Sequence, residues 1–270
     1  MIITVDTVGT KTLIEAFDEN GNKTFLDKFP TPRDVDEYVA QVSQTIIEKT
    51  DTSSIEAFSI AAPGPIKGDV LLRSSNIGWE NVDLPSKFRA QFASMRVFFA
   101  NDAAMGGLGE TRALDTIPTT SLYVTLSTGI GTGLCHDGRL SDATPALEGG
   151  DMRLQYDGEL QRWEDFASGR NFRDRYNQYG SEVEDPEKWQ DYAERAAVGL
   201  YALIPLLKPE QIIIGGSMGT HFHKYGHFLL DALNRVIPNH MKRTTVSPAK
   251  HPEEAVIYGC YYYALDKLAR

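Results

Sequence analysis

Four apolar runs, far apart along the chain, each stop at a cluster of Gly, Thr, Ser, Asn or Asp. Residues 2–5 run into Asp6, residues 98–100 into Asn101 and Asp102, residues 121–126 into Ser127-Thr-Gly129, and residues 212–214 into Gly215-Gly216. Runs this short, rich in β-branched or aromatic residues and closed by turn formers, read as buried strands. A chain of this kind carries its polar chemistry at strand ends. Strands that alternate with helices define an α/β fold.

The intervening segments fit that reading. Residues 12–17 and 24–29 are expected as second and third strands on either side of the Asn20-Gly21 hairpin turn. Val35, Val39, Val42, Ile46 and Ile47 recur at helical spacing, and residues 55–61 form another buried strand ahead of Ala62-Pro-Gly-Pro65. A looser repeat follows: a strand at 121–127, a glycine-rich turn at 128–133, and a returning strand at 134–140 with Asp137-Gly138 as a second turn. Helices are expected at 189–207, 222–236 and 253–268, with an apolar strand at 211–214. The expectation is two similar α/β halves, residues 1–104 plus 253–270 and residues 105–252.

The chain has 270 residues, a length suited to one large domain or two modest ones. With 41% hydrophobic and 24% charged residues, it can build an ordinary globular core. The 27 Lys and Arg stand against 37 Asp and Glu, a net charge of -10. That balance disfavours nucleic acid and anionic membranes as partners. It also requires any phosphate ligand to be held by local dipoles. Two cysteines, Cys135 and Cys260, cannot make a disulfide framework, and residues 200–207, broken by Pro205, are too short to span a bilayer. The N-terminus lacks the basic and long apolar regions of a signal peptide, so a cytoplasmic protein is expected.

The chemistry-bearing candidates sit where the strands end. In Asp6-Thr-Val-Gly-Thr-Lys11, Gly9 allows close backbone approach, Thr10 offers a hydroxyl and an amide, and Asp6 suits Mg²⁺. In Thr125-Leu-Ser-Thr-Gly-Ile-Gly-Thr-Gly133, Thr128, Gly129 and Gly131 can aim backbone N–H groups at phosphate oxygens without a lysine. Neither a Walker sequence nor dinucleotide-fingerprint spacing is present. Asp102 stands where a general base would meet a hydroxyl, and equally where a helix would be capped. Gly215 and Gly216 could lie beneath an adenine ring or simply join a strand to a helix. His221, His223 and His227 lack a carboxylate partner motif and read as solvated residues at a helix start.

Taken in order, Asp6-Thr-Val-Gly-Thr10, Asn101-Asp102, Ser127-Thr-Gly-Ile-Gly131 and Gly215-Gly-Ser217 resemble the sugar-kinase, actin and Hsp70 superfamily. Within it the chain is similar to the ROK family of repressors, open reading frames and kinases, which includes bacterial glucokinases. Ala62-Pro-Gly-Pro65, Asn76-Ile-Gly-Trp79, Leu147-Glu-Gly-Gly-Asp151 and Trp163-Glu-Asp-Phe-Ala-Ser-Gly169 extend the resemblance over nearly the whole chain. It implies a two-lobed ribonuclease H-like (actin-like ATPase) fold with the active site in the interlobe cleft. The implied activity is ATP- and Mg²⁺-dependent phosphorylation of a hexose hydroxyl, commonly by a homodimer. Asp102 would be the general base. Asn101, Glu148 and Glu164 match positions that hydrogen-bond sugar hydroxyls, and Gly64, Pro65 and Asn76 would line the same cleft. Asp6, Gly9, Thr10, Lys11, Thr128, Gly129, Gly131, Gly215 and Gly216 would serve the nucleotide. The chain starts at the first strand, so the repressor branch, which carries an extra N-terminal helix-turn-helix domain, is not the branch expected.

Departures from the family pattern matter too. Val8 replaces a glycine, Ala104 replaces an asparagine, and Asp151 replaces a histidine that helps orient the sugar. The family's zinc-binding His and Cys positions align with Asp151, Gln155, Asp157 and Arg162, so no structural zinc is expected. These changes leave open a kinase for an amino sugar, one using polyphosphate, and a catalytically silent sugar-binding protein.

Overall fold

A computed structural model of the chain describes residues 1–93, 95–141, 147–239 and 243–270. The described residues separate into two compact units, one of Met1–Gly109 with Glu254–Arg270, the other of Glu110–Ser141 with Leu147–Glu253. In chain order the first unit holds β1 (Ile2–Thr7), β2 (Thr12–Phe17), β3 (Lys23–Phe29), α1 (Val35–Lys49), β4 (Ala57–Ala62), β5 (Ile66–Lys67), β6 (Val70–Ser74), β7 (Trp79–Asp83), α2 (Leu84–Gln91) and β8 (Arg96–Asn101). Helix α3 (Asp102–Arg112) runs on into the second unit.

The first unit is a five-stranded sheet in the order β3-β2-β1-β4-β8. Strands β1, β2 and β3 pair antiparallel, whereas β1, β4 and β8 run parallel. Every residue of β4 is buried, as a central strand covered on both faces requires. Alternation sends Ile3, Val5, Phe58 and Ile60 into one core with Tyr38, Val42 and Ile46 of α1. Ile2 and Ala57 join a second cluster with Ala264 of the last helix. Helix α1 begins where the Asp34 carboxylate accepts the Glu37 amide at 2.8 Å. The β2–β3 turn is closed by Asp18, which accepts the amides of Asn20 and Asn22 at 2.8 Å each. A small antiparallel sheet, β5-β6-β7, is an addition that the strand periodicity did not reveal.

The second unit continues with β9 (Thr120–Leu126), β10 (Ile130–His136), β11 (Arg139–Leu140), β12 (Arg153–Tyr156), β13 (Glu159–Arg162), α4 (Trp163–Ala167), α5 (Gly169–Tyr176) and α6 (Pro186–Leu207). It ends with β14 (Gln211–Gly215), the single turn α7 (Gly216–Gly219), α8 (Phe222–Val236) and β15 (Thr245–Pro248). Its main sheet, β11-β10-β9-β14-β15, repeats the plan of the first: an antiparallel hairpin followed by parallel strands. Leu122, Val124, Ile212 and Ile214 pack with Trp163, Trp189, Tyr192 and Leu200, and with Tyr225 and Leu229 of α8.

Helix α9 (Ala255–Leu268) returns the chain to the first unit. Tyr261 stacks on Phe17 with ring centroids 4.3 Å apart, and Tyr263 meets Phe98 edge-on. The Tyr261-Tyr-Tyr263 run is thus largely a packing device. Close approach of α9 to α3 depends on glycine: a Cβ at Gly259 would collide with the Met105 carbonyl oxygen, and one at Gly109 with that of Ala255. Both obstacles are backbone atoms, which cannot rotate away. Gly259→Ala is expected to lower stability by about 2 kcal/mol, within the range for overpacked interiors. A urea-unfolding midpoint equal to that of the wild type would show that the two helices do not touch there.

Candidate functional site

Because β1, β4 and β8 are parallel, their C-terminal ends lie along one edge of the first sheet. Asp6 stands opposite Ala61, and Ala62 opposite Asn101, in the strand register. The outer end of parallel strands is where open α/β sheets bind ligands. The helix cap at this edge is Asn101, whose Oδ1 accepts the Ala104 amide at 3.1 Å. Its Nδ2 donates to the Gly64 carbonyl at 3.1 Å, tying the β8 end to the loop after β4. Asp102, the first residue of α3, is thereby released from the capping role that its position allowed. It is partly exposed, and its Oδ1 accepts the neighbouring Ala103 amide at 2.8 Å.

Asp6 and Asp102 are electrostatically coupled. Burial, aided by the charge of Asp102 and opposed by Lys11, pushes the Asp6 carboxyl up to about 7. Burial pushes Asp102 up to about 6 against the stabilising amides of residues 103 and 102. Asp6 Oδ1 is buried with no hydrogen-bond partner among the described residues. A hard carboxylate oxygen left in that state fits a divalent cation such as Mg²⁺. Nearby, Thr7 and Tyr38 share a buried hydrogen bond of 2.7 Å.

The β1–β2 turn is pinned rather than loose. Val8 N donates to the Lys11 carbonyl at 3.0 Å, and Thr31 Oγ1 donates to the Val8 carbonyl at 2.7 Å. Gly9 lies against Asn76, so that a Cβ would fall 2.9 Å from the Asn76 Cβ. Thr10, Asn76 and Pro65 are exposed, while Lys11 and Gly64 are half-buried. The first unit therefore gathers Asp6, Gly9, Asn76, Gly64, Asn101 and Asp102 around one sheet edge.

The second unit gathers its own set. The β9–β10 turn is only Ser127–Thr128–Gly129: Ser127 N donates to the Gly129 carbonyl at 2.9 Å, and Gly169 N to the Ser127 carbonyl at 2.6 Å. The glycine-rich turn expected at 128–133 is thus shorter, and the returning strand starts at Ile130 rather than residue 134. Ladder pairing decides this, since residues 130–136 each find a partner on β9, with Gly131 opposite Thr125. Gly215 also stands opposite Thr125, from β14. Gly216 adopts φ +75°, with its Cα so close to β9 that a Cβ would lie 2.6 Å from the Leu126 carbonyl oxygen.

Glu164 faces that turn. Its Oε2 accepts the Ile130 amide at 3.4 Å and would be 2.7 Å from a Cβ on Gly129. Its Oε1 pairs with Arg162 Nη1 at 2.9 Å. The same guanidinium donates to Asp151 Oδ1 at 3.2 Å and, through Nε and Nη2, to both Asp165 oxygens at 3.0 and 2.6 Å. Glu148 is exposed at the start of the 3-10 turn Gly149–Asp151. Thr132 fastens that turn to β10, donating to the Leu147 carbonyl at 2.6 Å and accepting the Gly149 amide at 3.1 Å.

Arg162 is the participant that motif reading missed as an organising residue. A signal was present: Asp157-Gly158 is a hairpin dipeptide, and both residues adopt positive φ, folding β12 and β13 back so that Arg162 returns beside Asp151. Of the four residues aligned with zinc positions, Asp151 and Arg162 form an ion pair. A guanidinium in that set does not fit zinc. Among the described residues no group of three or more His, Cys, Asp or Glu is arranged to hold a metal ion. None of the described helices is long and apolar enough to cross a membrane.

Two measurements follow from these geometries. Metal analysis of the purified protein is expected to find no stoichiometric zinc, and bound zinc at one equivalent would contradict the ion-pair arrangement. Asp102 has a folded-state pKa above its ordinary value, so it favours folding when protonated, and that advantage is lost as pH rises through about 6. Asp102→Asn is therefore expected to raise the melting temperature by a few degrees at pH 8 and hardly at all at pH 4. An equal shift at both pH values would refute the desolvation argument.

The model of the ROK family matches residues 2–267. The chain is 24% identical over 278 residues to a glucokinase of Streptomyces coelicolor, covering 87% of this chain and 86% of that one. It is 23% identical to an N-acetyl-D-glucosamine kinase of Haemophilus influenzae, covering 97% of this chain and 99% of the relative. The crystal structure of a ROK family glucokinase from Streptomyces griseus in complex with glucose and AMPPNP superposes with a TM-score of 0.80 at 23% identity, over 96% of this chain and 97% of that one. The fold is therefore that of the ROK sugar kinases and of actin-like ATPases. With its family model matched almost end to end, the chain belongs to the ROK family.

Proposed function

We propose that this protein is a carbohydrate kinase that transfers the γ-phosphate of ATP to a hexose hydroxyl, with Asp102 as general base. The observation that carries the reading is the state of Asp102: partly exposed at the strand edge, freed from capping by Asn101, and raised to about 6. A carboxylate with that pKa is ionised at neutral pH yet more basic than an ordinary aspartate, which suits proton removal from an alcohol. Relatives named as kinases of glucose and N-acetyl-D-glucosamine, and a structural neighbour holding glucose and AMPPNP, support the substrate classes.

In this reading a sugar hydroxyl gives its proton to Asp102 as its oxygen attacks phosphorus, and the ADP oxygen departs. Asn101 and Gly64 keep Asp102 at the end of β8 through the hydrogen bond between them. Within the first unit, Asn101, Asn76, Gly64 and Pro65 are assigned to sugar hydroxyls; within the second, Glu148, Asp151 and Glu164 carry the same assignment. Backbone amides of the β1–β2 turn, with Gly9, Thr10 and Lys11, and of the turn at Thr128 and Gly129 bind phosphate oxygens. Gly131, in β10, supports that second turn, while Gly215 and Gly216 present backbone to the nucleoside. Asp6 would hold Mg²⁺, which when bound offsets phosphate charge. Phosphoryl transfer asks chiefly for positioning and charge stabilisation, so this set is chemically sufficient.

The test is a screen of hexoses and N-acyl hexosamines with ATP-Mg²⁺ and, in parallel, with polyphosphate. Phosphorylated product from at least one sugar is expected. Asp102→Asn should lower kcat by about 10²-fold or more, the contribution typical of a general base, with the sugar KM little changed. The wild-type kcat/KM should fall as pH drops below about 6, where Asp102 takes up a proton. Sugar-dependent thermal stabilisation without product from either donor would favour a catalytically silent sugar-binding protein. The changes at Val8, Ala104 and Asp151 are what motivate that second reading.

A further inference from the structure

The arrangement around Glu164 carries an inference about Arg162. Glu164 is half-buried, and its two carboxylate oxygens are used in different directions: Oε1 toward the guanidinium at 2.9 Å, Oε2 toward the Ile130 amide at 3.4 Å and the Cα face of Gly129. Arg162 is in turn held from two other sides. Asp165 accepts two donors in a bidentate fork at 3.0 and 2.6 Å, and Asp151 accepts a third interaction at 3.2 Å. A planar guanidinium fixed by such a fork cannot swing without losing several charge-assisted hydrogen bonds together. Ile130 is gripped at both ends, because its carbonyl lies directly against the Gly150 Cα while its amide faces Glu164. One rigid cation thus sets the position of a carboxylate, and that carboxylate rests on the turn whose amides are assigned to phosphate.

We propose that Arg162 is a positioning residue: its guanidinium fixes Glu164 against the Ser127–Gly129 turn, so that the sugar-binding carboxylate and the phosphate-binding turn are held as one unit. Surrounded by three carboxylates, Arg162 acts through Glu164 rather than on a ligand itself. The proposal rests on the sugar-kinase reading for the roles of Glu164 and the turn, whereas the clasp itself stands on geometry alone. A lysine at position 162 could supply the charge but not the planar fork. An uncharged residue there could supply neither, and the three carboxylates would then repel one another.

The experiment compares Arg162→Gln, Arg162→Lys and Asp165→Asn with the wild type. Steady-state kinetics are run on the sugar found by the screen, amide hydrogen exchange is followed at Ile130 by NMR, and melting temperature is recorded for each protein. Arg162→Gln is expected to raise the sugar KM by about tenfold or more, the scale of a lost charge-assisted hydrogen bond, with a smaller change in kcat. It should also speed exchange at Ile130. Arg162→Lys should recover part of both effects, and Asp165→Asn, which keeps the Arg162–Glu164 pair but weakens the fork that immobilises the guanidinium, should raise the sugar KM less than Arg162→Gln does. A lower melting temperature in Arg162→Gln with sugar KM and Ile130 exchange both unchanged would reduce Arg162 to a structural residue and overturn the proposal. If the wild type phosphorylates none of the sugars, it is the kinase reading that fails. Exchange at Ile130 then still decides whether the clasp exists.

Discussion

Holding two carboxylates at one largely buried sheet edge is the constraint to which the rest of the first unit answers, since an ionised aspartate there gives up part of its hydration. Asp6 and Asp102 reach that edge because β1, β4 and β8 are parallel and in register. Their mutual repulsion adds to the desolvation of Asp6, and Lys11 only partly offsets it. A fold that keeps such a pair gives up some stability at neutral pH. Asn101 shows how the expense is confined: it takes over the helix cap and ties down the Gly64 loop, so that Asp102 need do neither.

The second unit uses the same strand plan for a different electrostatic purpose. Its glycine turn offers backbone dipoles in place of basic side chains, which suits a chain whose net charge is -10. Around that turn the dominant charge element is Arg162, with carboxylates of Asp151, Glu164 and Asp165 on three sides. Partly exposed ion pairs add little to stability when taken singly. A bidentate fork within a network fixes the geometry of the groups it joins more than it adds to stability.

Much of this was legible from one chain of letters. Strand β2 and helix α8 occupy the spans that their periodicity indicated, and β1, β3, α1, α6 and β14 differ by a few residues at their ends. The pattern survives because a strand covered on both faces, or a helix covered on one, leaves an apolar signature that local turns do not blur. The β9–β10 turn was misjudged in length because its glycines suggested a loop, while ladder hydrogen bonds from β9 drew Gly131 and Gly133 into a strand. The strands of the β5–β7 sheet and of the β12–β13 hairpin have only two to five residues each, too few for a period to stand out.

The sequence by itself determined which residue types stand at strand ends, that any phosphate ligand would have to be met by local dipoles rather than by a basic patch, and that the set Asp151, Gln155, Asp157 and Arg162 does not suit zinc. Those are properties of composition and local order. Only tertiary structure decided that Asn101 and not Asp102 caps α3, that Asp6 and Asp102 share one field, and that Arg162 meets three carboxylates. Each of these joins residues across strand pairing, a helix start or a hairpin return. Such distances are set by packing and register, which no local stretch of the chain contains.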